Sequence, residues 1–243
     1  CAWTCIPNGV DPALFPETVV KPPDQRPMWV GHWSSPDRAL FHLLDAWPAI
    51  HREVPTAKLR VYYKVQGFID TVLRDTYDGM QLQGSFGRSN YVAILLRDSI
   101  ARCRPIGLDL IDAVHRRVLA RDQLQCRVMA YPLDADGYTE GFGQSVPEAM
   151  MAGCLPVVRC VDAFSELWVD GCWNITSDPT SSAFHDEIVA KVVRGLTEWD
   201  GTADPSQADL RRIASVWTWD RSAAALENAI LLAQRHRQAR DAA

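Results

Sequence analysis

Short apolar runs recur along the chain at the length of β-strands. They are residues 27–31 (PMWVG), 58–63 (KLRVYY), 126–131 (CRVMAY) and 155–159 (LPVVR). Runs without a regular polar alternation are typical of strands that are covered on both faces, as in a parallel sheet. The pattern therefore predicts four buried strands.

Amphipathic segments separate these runs. After the first run, apolar residues at 40, 43, 44 and 47 follow the i, i+3, i+4, i+7 spacing of one buried helix face, and we expect Ser35-Pro36 to open that helix. The remaining predicted helices cover 66–78, 89–124 (as two helices broken near 104–107), the short PEAMMA segment that Gly153 ends, 183–199 and 220–240. Strands that alternate with helices predict an α/β fold, a Rossmann-like parallel sheet with helices on both faces.

The composition narrows the functional classes. With 243 residues, 47% of them hydrophobic and 23% charged, the chain has the make-up of a globular protein. Its net charge of −5 disfavours a nucleic-acid partner. The seven cysteines form no C-x-x-C pair, and we expect reduced, mostly buried thiols in a cytoplasmic protein.

The first candidate loop follows the first predicted strand and reads Gly31-His32-Trp33-Ser34-Ser35-Pro36-Asp37-Arg38. A helix that starts there would direct unpaired N–H groups and the positive end of its dipole at an anion. Arg38 adds a cation whose fork geometry suits phosphate. A capped surface helix with a solvated arginine explains the same residues without a ligand.

The second candidate loop runs from Glu140 to Glu148 and contains Gly-Phe-Gly. Glycines let a backbone approach a ligand closely. Ser145 and Glu148 have the spacing of a capping box, which would explain Glu148 structurally. Glu140 lies outside that explanation. A carboxylate on each side of a helix start could bind sugar hydroxyls while the N–H groups hold phosphate, an arrangement suited to a sugar nucleotide.

The segment EGFGQSVPEAMMAGCLPVV resembles the E-x7-E motif of retaining glycosyltransferases with the two-domain GT-B fold, in the large group-1 (family 4) set. Other segments resemble that family in its order along the chain. They are IPNGVDPALF at 6–15, the helix and strand at 34–63, SELWVDGCWNI at 165–175 and VWTWDRSAAALENAI at 216–230. The resemblance covers nearly the whole chain. It corresponds to the C-terminal, donor-binding half of such an enzyme.

The resemblance implies a division of the chain and roles for its residues. Residues 1–20 would lead in from a preceding domain, 21–215 would form the nucleotide-sugar-binding domain, and 216–243 the closing helix. Glu148 would contact the ribose hydroxyls and Glu140 the transferred sugar, while Arg38 would neutralise the diphosphate. The remaining predicted donor-binding residues are Gly31, His32, Trp33, Phe142, Gly143, Gln144 and Ser145.

Two positions depart from the family pattern. His32 stands where the family commonly has an arginine, so one permanent cation is missing, and Arg38-Ala39 replaces a Lys-Gly or Arg-Gly pair. The segment 65–124 is longer than expected, and we interpret it as an insertion near the base pocket, whose selective residues we place around 63–66. Asp134-Ala135-Asp136 has the letters of a metal motif but reads as a solvated loop. No cofactor and no metal are expected.

The donor would be a UDP-, GDP- or ADP-sugar, and the acceptor an unknown glycan, lipid or protein. Transfer would need an N-terminal GT-B domain, in cis or in trans, that supplies the acceptor site. The basic end formed by Arg235, His236, Arg237 and Arg240 fits either a favourable charge at a helix C-terminus or contact with a membrane surface. The alternatives are a non-catalytic sugar-nucleotide-binding module, a subunit of a split transferase, or an epimerase or phosphorylase of the same architecture.

Overall fold

The computed structural model describes residues 6–77, 85–134 and 140–241. Within them, six strands form one sheet in which every pairing is parallel, in the order β3-β2-β1-β4-β5-β6. The strands are β1 (Trp29–His32), β2 (Lys58–Tyr62), β3 (Leu108–Ile111), β4 (Val128–Tyr131), β5 (Leu155–Val158) and β6 (Trp173–Asn174). This is the predicted Rossmann-like α/β fold.

Helices cover both faces of the sheet. They are α1 (Leu40–Glu53), α2 (Val65–Tyr77), α3 (Ser85–Cys103), α4 (Arg116–Gln123), α5 (Ser145–Met151), α6 (Ala163–Leu167), α7 (Ser182–Thr197), α8 (Gln207–Ala214) and α9 (Trp219–Asp241). The side chains of β4 show how the sheet separates two cores. Val128 and Ala130 join the core under α1, α3 and α7, while Met129 and Tyr131 join the core under α5 and α8. Successive side chains of a strand point to opposite faces, so one strand serves both layers.

The region 89–124 corrects one prediction in part. The two predicted helices, α3 and α4, are present and break near 104–107, but the edge strand β3 lies between them. Gly107 has a left-handed backbone (φ 87°) that turns the chain after α3, and Leu108 then pairs with Leu59 of β2. The four-residue strand is stabilised by this long-range pairing, which a local pattern does not report. The two-residue strand β6 was missed for the same reason.

The start of α1 corrects a second prediction. The helix begins at Leu40 and not at Ser35-Pro36, because Ala39 adopts a left-handed conformation (φ 79°) immediately before it. The Ser35 hydroxyl donates to the Asp37 carboxylate instead of capping a helix. The loop between β1 and α1 is therefore longer than predicted, and Arg38 lies in the loop near its end.

The described part of the N-terminal segment packs against the start of the last helix. Val10 forms an isolated parallel bridge with Thr218, and its N–H donates to the Trp217 carbonyl at 2.8 Å. Helix α9 continues from there with large apolar side chains on its surface, between 43% and 54% exposed: Trp219, Leu226, Ile230, Leu231 and Leu232. In the part of the chain that the structure describes, no helix combines the length and the apolar character needed to cross a membrane.

Candidate functional site

The strand order places a crevice at the carboxyl ends of β1 and β4. Helical crossovers leave β1 toward one edge of the sheet and β4 toward the other, so the loops after these adjacent strands separate and leave room for a ligand. These loops are residues 33–39 (the β1 loop) and 132–144 (the β4 loop, described except for 135–139). They contain both segments that the sequence singled out.

A polar network joins the two loops. Nη1 of Arg38 lies 2.5 Å from Oε1 of Glu140, and the two side chains are 18% and 12% exposed. The Tyr131 hydroxyl donates to the same carboxylate oxygen at 2.7 Å, and the Ser34 hydroxyl donates to the Tyr131 oxygen at 3.0 Å. Burial and the neighbouring Glu140 raise the pKa of Tyr131, so its hydroxyl keeps its proton. The predicted diphosphate cation and the predicted sugar carboxylate are thus paired with each other.

The second carboxylate, Glu148 on α5, is held by helix α4. Oε1 accepts from Nη2 of Arg116 at 2.6 Å, and Oε2 accepts from Nε2 of Gln123 at 3.0 Å. Burial raises the pKa of Glu148, while the amide of Gln123, the charge of Arg116 and the amide of Gln144 act in the opposite direction. The side chain is 8% exposed and its carboxylate is supported by donors on both oxygens.

The predicted capping box does not form. No side chain caps α5, and the Ser145 hydroxyl donates to the Trp33 carbonyl at 3.1 Å. Glu148 is directed at α4 instead of at the helix start. The capping-box explanation of Glu148 is therefore wrong.

Two predicted donor-binding residues have clear packing roles. The Trp33 ring is buried, and its indole N–H donates to the Ser145 carbonyl at 3.0 Å. A Cβ atom at Gly31 would lie 2.0 Å from this ring, so glycine is required there by Trp33 itself. Contact of Gly31 or Trp33 with a donor stays a prediction.

His32 is fully buried and neutral. Its Nδ1 lies 3.1 Å from the Ala130 carbonyl, which makes Nδ1 the protonated nitrogen, and Nε2 has no hydrogen-bond partner among the described residues. Burial lowers the pKa of His32 to about 4. The side chain therefore supplies no permanent cation at this position.

The Gly-Phe-Gly segment contributes both packing and free backbone donors. Phe142 is buried edge-on against Trp168, and Gly143 has φ 64° with the Phe164 ring 2.1 Å from where a Cβ would lie. Gly141, in contrast, has no described residue within 4 Å of where a Cβ would lie. The Gln144 side chain donates to the Gly9 carbonyl at 2.7 Å. Between described residues, no hydrogen bond uses the backbone N–H groups of residues 142–145 as donors.

Other predicted features lie at the carboxyl ends of neighbouring strands. A cavity of about 330 Å³ opens beyond β2 and β3, and its lining includes Tyr63, Lys64, Gln66 and Asp112. Among the described residues, no group of three His, Cys, Asp or Glu side chains could hold a metal ion. Asp134 is described, but residues 135 and 136 lie outside the described residues, so the interpretation of that motif is untested.

The site includes residues that the sequence reading missed. Tyr131 ends β4 next to Pro132, and its place at the carboxyl end of a central strand could have marked it. Arg116 and Gln123 carry no local signal, because 32 and 25 residues of chain separate them from Glu148. The segment 65–124 supplies this support through α4, and it also contains α2, α3 and β3.

Comparison with known proteins gives matches only at the level of structure. No family model matches the chain, and no curated protein matches its sequence. The pneumococcal O-GlcNAc transferase GtfA, solved with UDP and GlcNAc, matches 86% of the chain with a TM-score of 0.56 and 17% identity. HepE from Anabaena, solved with UDP and glucose, matches 93% with a TM-score of 0.62 and 19% identity. AviGT4, a glycosyltransferase of avilamycin A biosynthesis, matches 95% with a TM-score of 0.56 and 14% identity.

These matches cover only part of each known protein. The chain spans 36% of GtfA, 55% of HepE and 57% of AviGT4. At identities below one fifth, the likeness concerns the fold. The chain therefore has the Rossmann-like fold of the matched parts of these glycosyltransferases.

Proposed function

We propose that this chain is the nucleotide-sugar-binding half of a retaining GT-B glycosyltransferase of the group-1 (family 4) type. The fold shared with glycosyltransferases and the E-x7-E spacing of Glu140 and Glu148 support the proposal. The observation that carries it is the position of Arg38 and Glu140 in the loops beside the crevice at β1 and β4, with Glu148 on α5 directly after the β4 loop.

Arg38 and the β4 loop would bind the diphosphate. The guanidinium offers a cation with fork geometry, and the backbone N–H groups of residues 142–145 have no acceptor among the described residues. A diphosphate that binds there would compete with Glu140 for Arg38. We place the transferred sugar beside Glu140, whose carboxylate Tyr131 holds in position.

In the proposed reaction, the bond between the anomeric carbon and the diphosphate oxygen breaks, and its electron pair leaves with the diphosphate. The oxygen of an acceptor hydroxyl bonds to the same carbon, and its proton is released. Arg38 and the loop N–H groups would stabilise the charge that develops on the departing diphosphate. We propose that this stabilisation works without a metal ion.

Transfer would also require the part of a GT-B enzyme that these residues do not match. We propose that an N-terminal domain, in cis or in trans, docks beside the crevice and brings a glycan, lipid or protein acceptor. The exposed apolar side chains of α9 are consistent with such a covering domain, because large exposed apolar groups often mark an interaction surface. Peripheral contact with a membrane stays part of this proposal for lipid-linked acceptors.

Calorimetric titration of the 243-residue chain with UDP, GDP and ADP tests the proposal, with EDTA present to exclude a metal requirement. We expect one nucleotide to bind, and Glu148→Ala and Arg38→Ala each to weaken binding by about tenfold or more, as for loss of a charge-assisted hydrogen bond. Binding that is unchanged in both variants, or no binding by the folded chain, would contradict the assignment. Binding without sugar transfer when the N-terminal half is supplied would favour the non-catalytic module.

A further inference from the structure

Helix α4 holds the buried carboxylate of Glu148 at two points. Arg116 and Gln123 are seven residues apart, which places them on one face of the helix two turns from each other. The two differ in character. The Arg116 side chain is 53% exposed, whereas Gln123 is 1% exposed and its amide is fixed on Oε2.

The hydrogen bonds from Arg116 and Gln123 leave each oxygen of Glu148 able to accept a further hydrogen bond. An ionised carboxylate has about four lone-pair positions, two on each oxygen. One position on Oε1 is taken by Arg116 and one on Oε2 by Gln123. Nε2 of Gln144 lies 3.5 Å from Oε1, a long contact that a hydroxyl can displace because this amide donates to the Gly9 carbonyl at 2.7 Å. The remaining positions match two neighbouring hydroxyl donors, one for each oxygen. The 2′- and 3′-hydroxyls of a ribose form such a pair.

The orientation depends chiefly on Gln123. An exposed arginine is screened by solvent and moves readily, so it defines the plane of the carboxylate poorly. A buried amide N–H holds its acceptor at a fixed angle and cannot be replaced there by bulk water. Without this donor, Glu148 could turn about its last side-chain bond or take up a proton at Oε2.

We propose that Gln123 is the positioning residue that holds Glu148 ready to accept hydrogen bonds from both ribose hydroxyls, and that it thereby makes the site selective for ribonucleotides over 2′-deoxyribonucleotides. The inference rests on the proposed function and assigns a role to a residue that makes no contact with the ligand. Gln123 acts through Glu148 alone.

The test compares the chain with Gln123→Met, which keeps length and volume but removes the donor. Each is titrated calorimetrically with UDP, GDP, ADP and their 2′-deoxy forms. We expect the wild-type chain to prefer the ribonucleotide by about tenfold, as for one hydrogen bond to a charged group, and the variant to prefer it by less than about threefold. As the pH is lowered, the variant should lose its affinity for the ribonucleotide at a higher pH than the wild-type chain does. The charged group that faces Glu148 is Arg116.

Gln207→Met is the matched control. The Gln207 amide donates to the carbonyls of Lys21 and Gly153. Gly153 lies just before β5, at the amino ends of the strands, whereas the crevice is at their carboxyl ends. A second variant, Gln123→Leu, also removes the donor but with a branched apolar side chain, so it should lose the preference even if the methionine variant is poorly folded.

The outcomes separate the two proposals. If the wild-type chain binds a nucleotide and both Gln123 variants keep the full ribose preference, the role of Gln123 is refuted and the donor site stands. Equal weakening for ribo- and deoxyribonucleotides would show a merely structural role and also refute it. If the folded wild-type chain binds none of the nucleotides, the proposed function falls and this inference falls with it.

Discussion

The pairing of Arg38 with Glu140 leads to a prediction with a counterintuitive sign. Because the Glu140 carboxylate lies 2.5 Å from the Arg38 guanidinium, any diphosphate that contacts Arg38 must approach a like charge. Replacing Glu140 with glutamine removes this charge and keeps an oxygen that can accept from Tyr131. The free nucleoside diphosphate should therefore bind more tightly to Glu140→Gln.

The magnitude follows from the geometry. A phosphate on the far side of Arg38 would lie roughly 6 Å from the carboxylate, where two unit charges repel by about 3 kcal/mol at an effective dielectric constant of about 20. The side chains of Arg38 and Glu140 are 18% and 12% exposed, so solvent and salt screen part of this repulsion. About 1.4 kcal/mol should remain, which is a tenfold gain in affinity.

The assay is calorimetric titration with the nucleotide that the wild-type chain binds, at low and at high salt. Glu198→Gln serves as the control, because it removes the same charge from an exposed ion pair with Arg194 at the C-terminal end of α7. The gain should appear only in Glu140→Gln and should shrink at high salt. An affinity that is equal or lower in Glu140→Gln, or an equal gain in the control, would refute the idea that Arg38 is the diphosphate cation.

Three further predictions concern the same site. Gly143→Ala should lower the free energy of unfolding, measured in urea, by about 2 kcal/mol, whereas Gly141→Ala should change it by less than about 0.5 kcal/mol. Similar losses for the two variants would contradict the packing of Gly143 against Phe164. Because the pKa of His32 is lowered to about 4, stability should fall as the pH drops from about 6.5 toward 4, by up to about 3 kcal/mol. His32→Asn keeps an N–H donor, and denaturation curves should show no such loss of stability for this variant. The same dependence of stability on pH in the wild-type chain and in the variant would refute the prediction. Tyr131→Phe should weaken binding of the sugar nucleotide more than that of the free diphosphate, and the reverse order in paired titrations would argue against a sugar beside Glu140.

The sequence alone determined the class of the fold and singled out the two loops of the candidate site. The runs that form β1, β2, β4 and β5 are mostly apolar, which marked them as buried strands. The helices α1, α2, α7 and α9 were predicted from amphipathic segments of helical length. Ligands of open α/β sheets bind at the carboxyl ends of the strands, so the two loops could be chosen as candidates from the sequence.

The tertiary structure decided which groups meet. The strand β3 exists because Leu108 reaches β2, and α1 starts late because Ala39 turns left-handed, neither of which a local pattern specifies. The neutral state of His32 follows from its burial at the carboxyl end of the central strand β1. Residue spacing placed Glu148 at the crevice, but its partners on α4 come from distant parts of the chain. Local patterns record the energetics of a few neighbouring residues, whereas the charge and orientation of a side chain depend on everything that the fold packs around it.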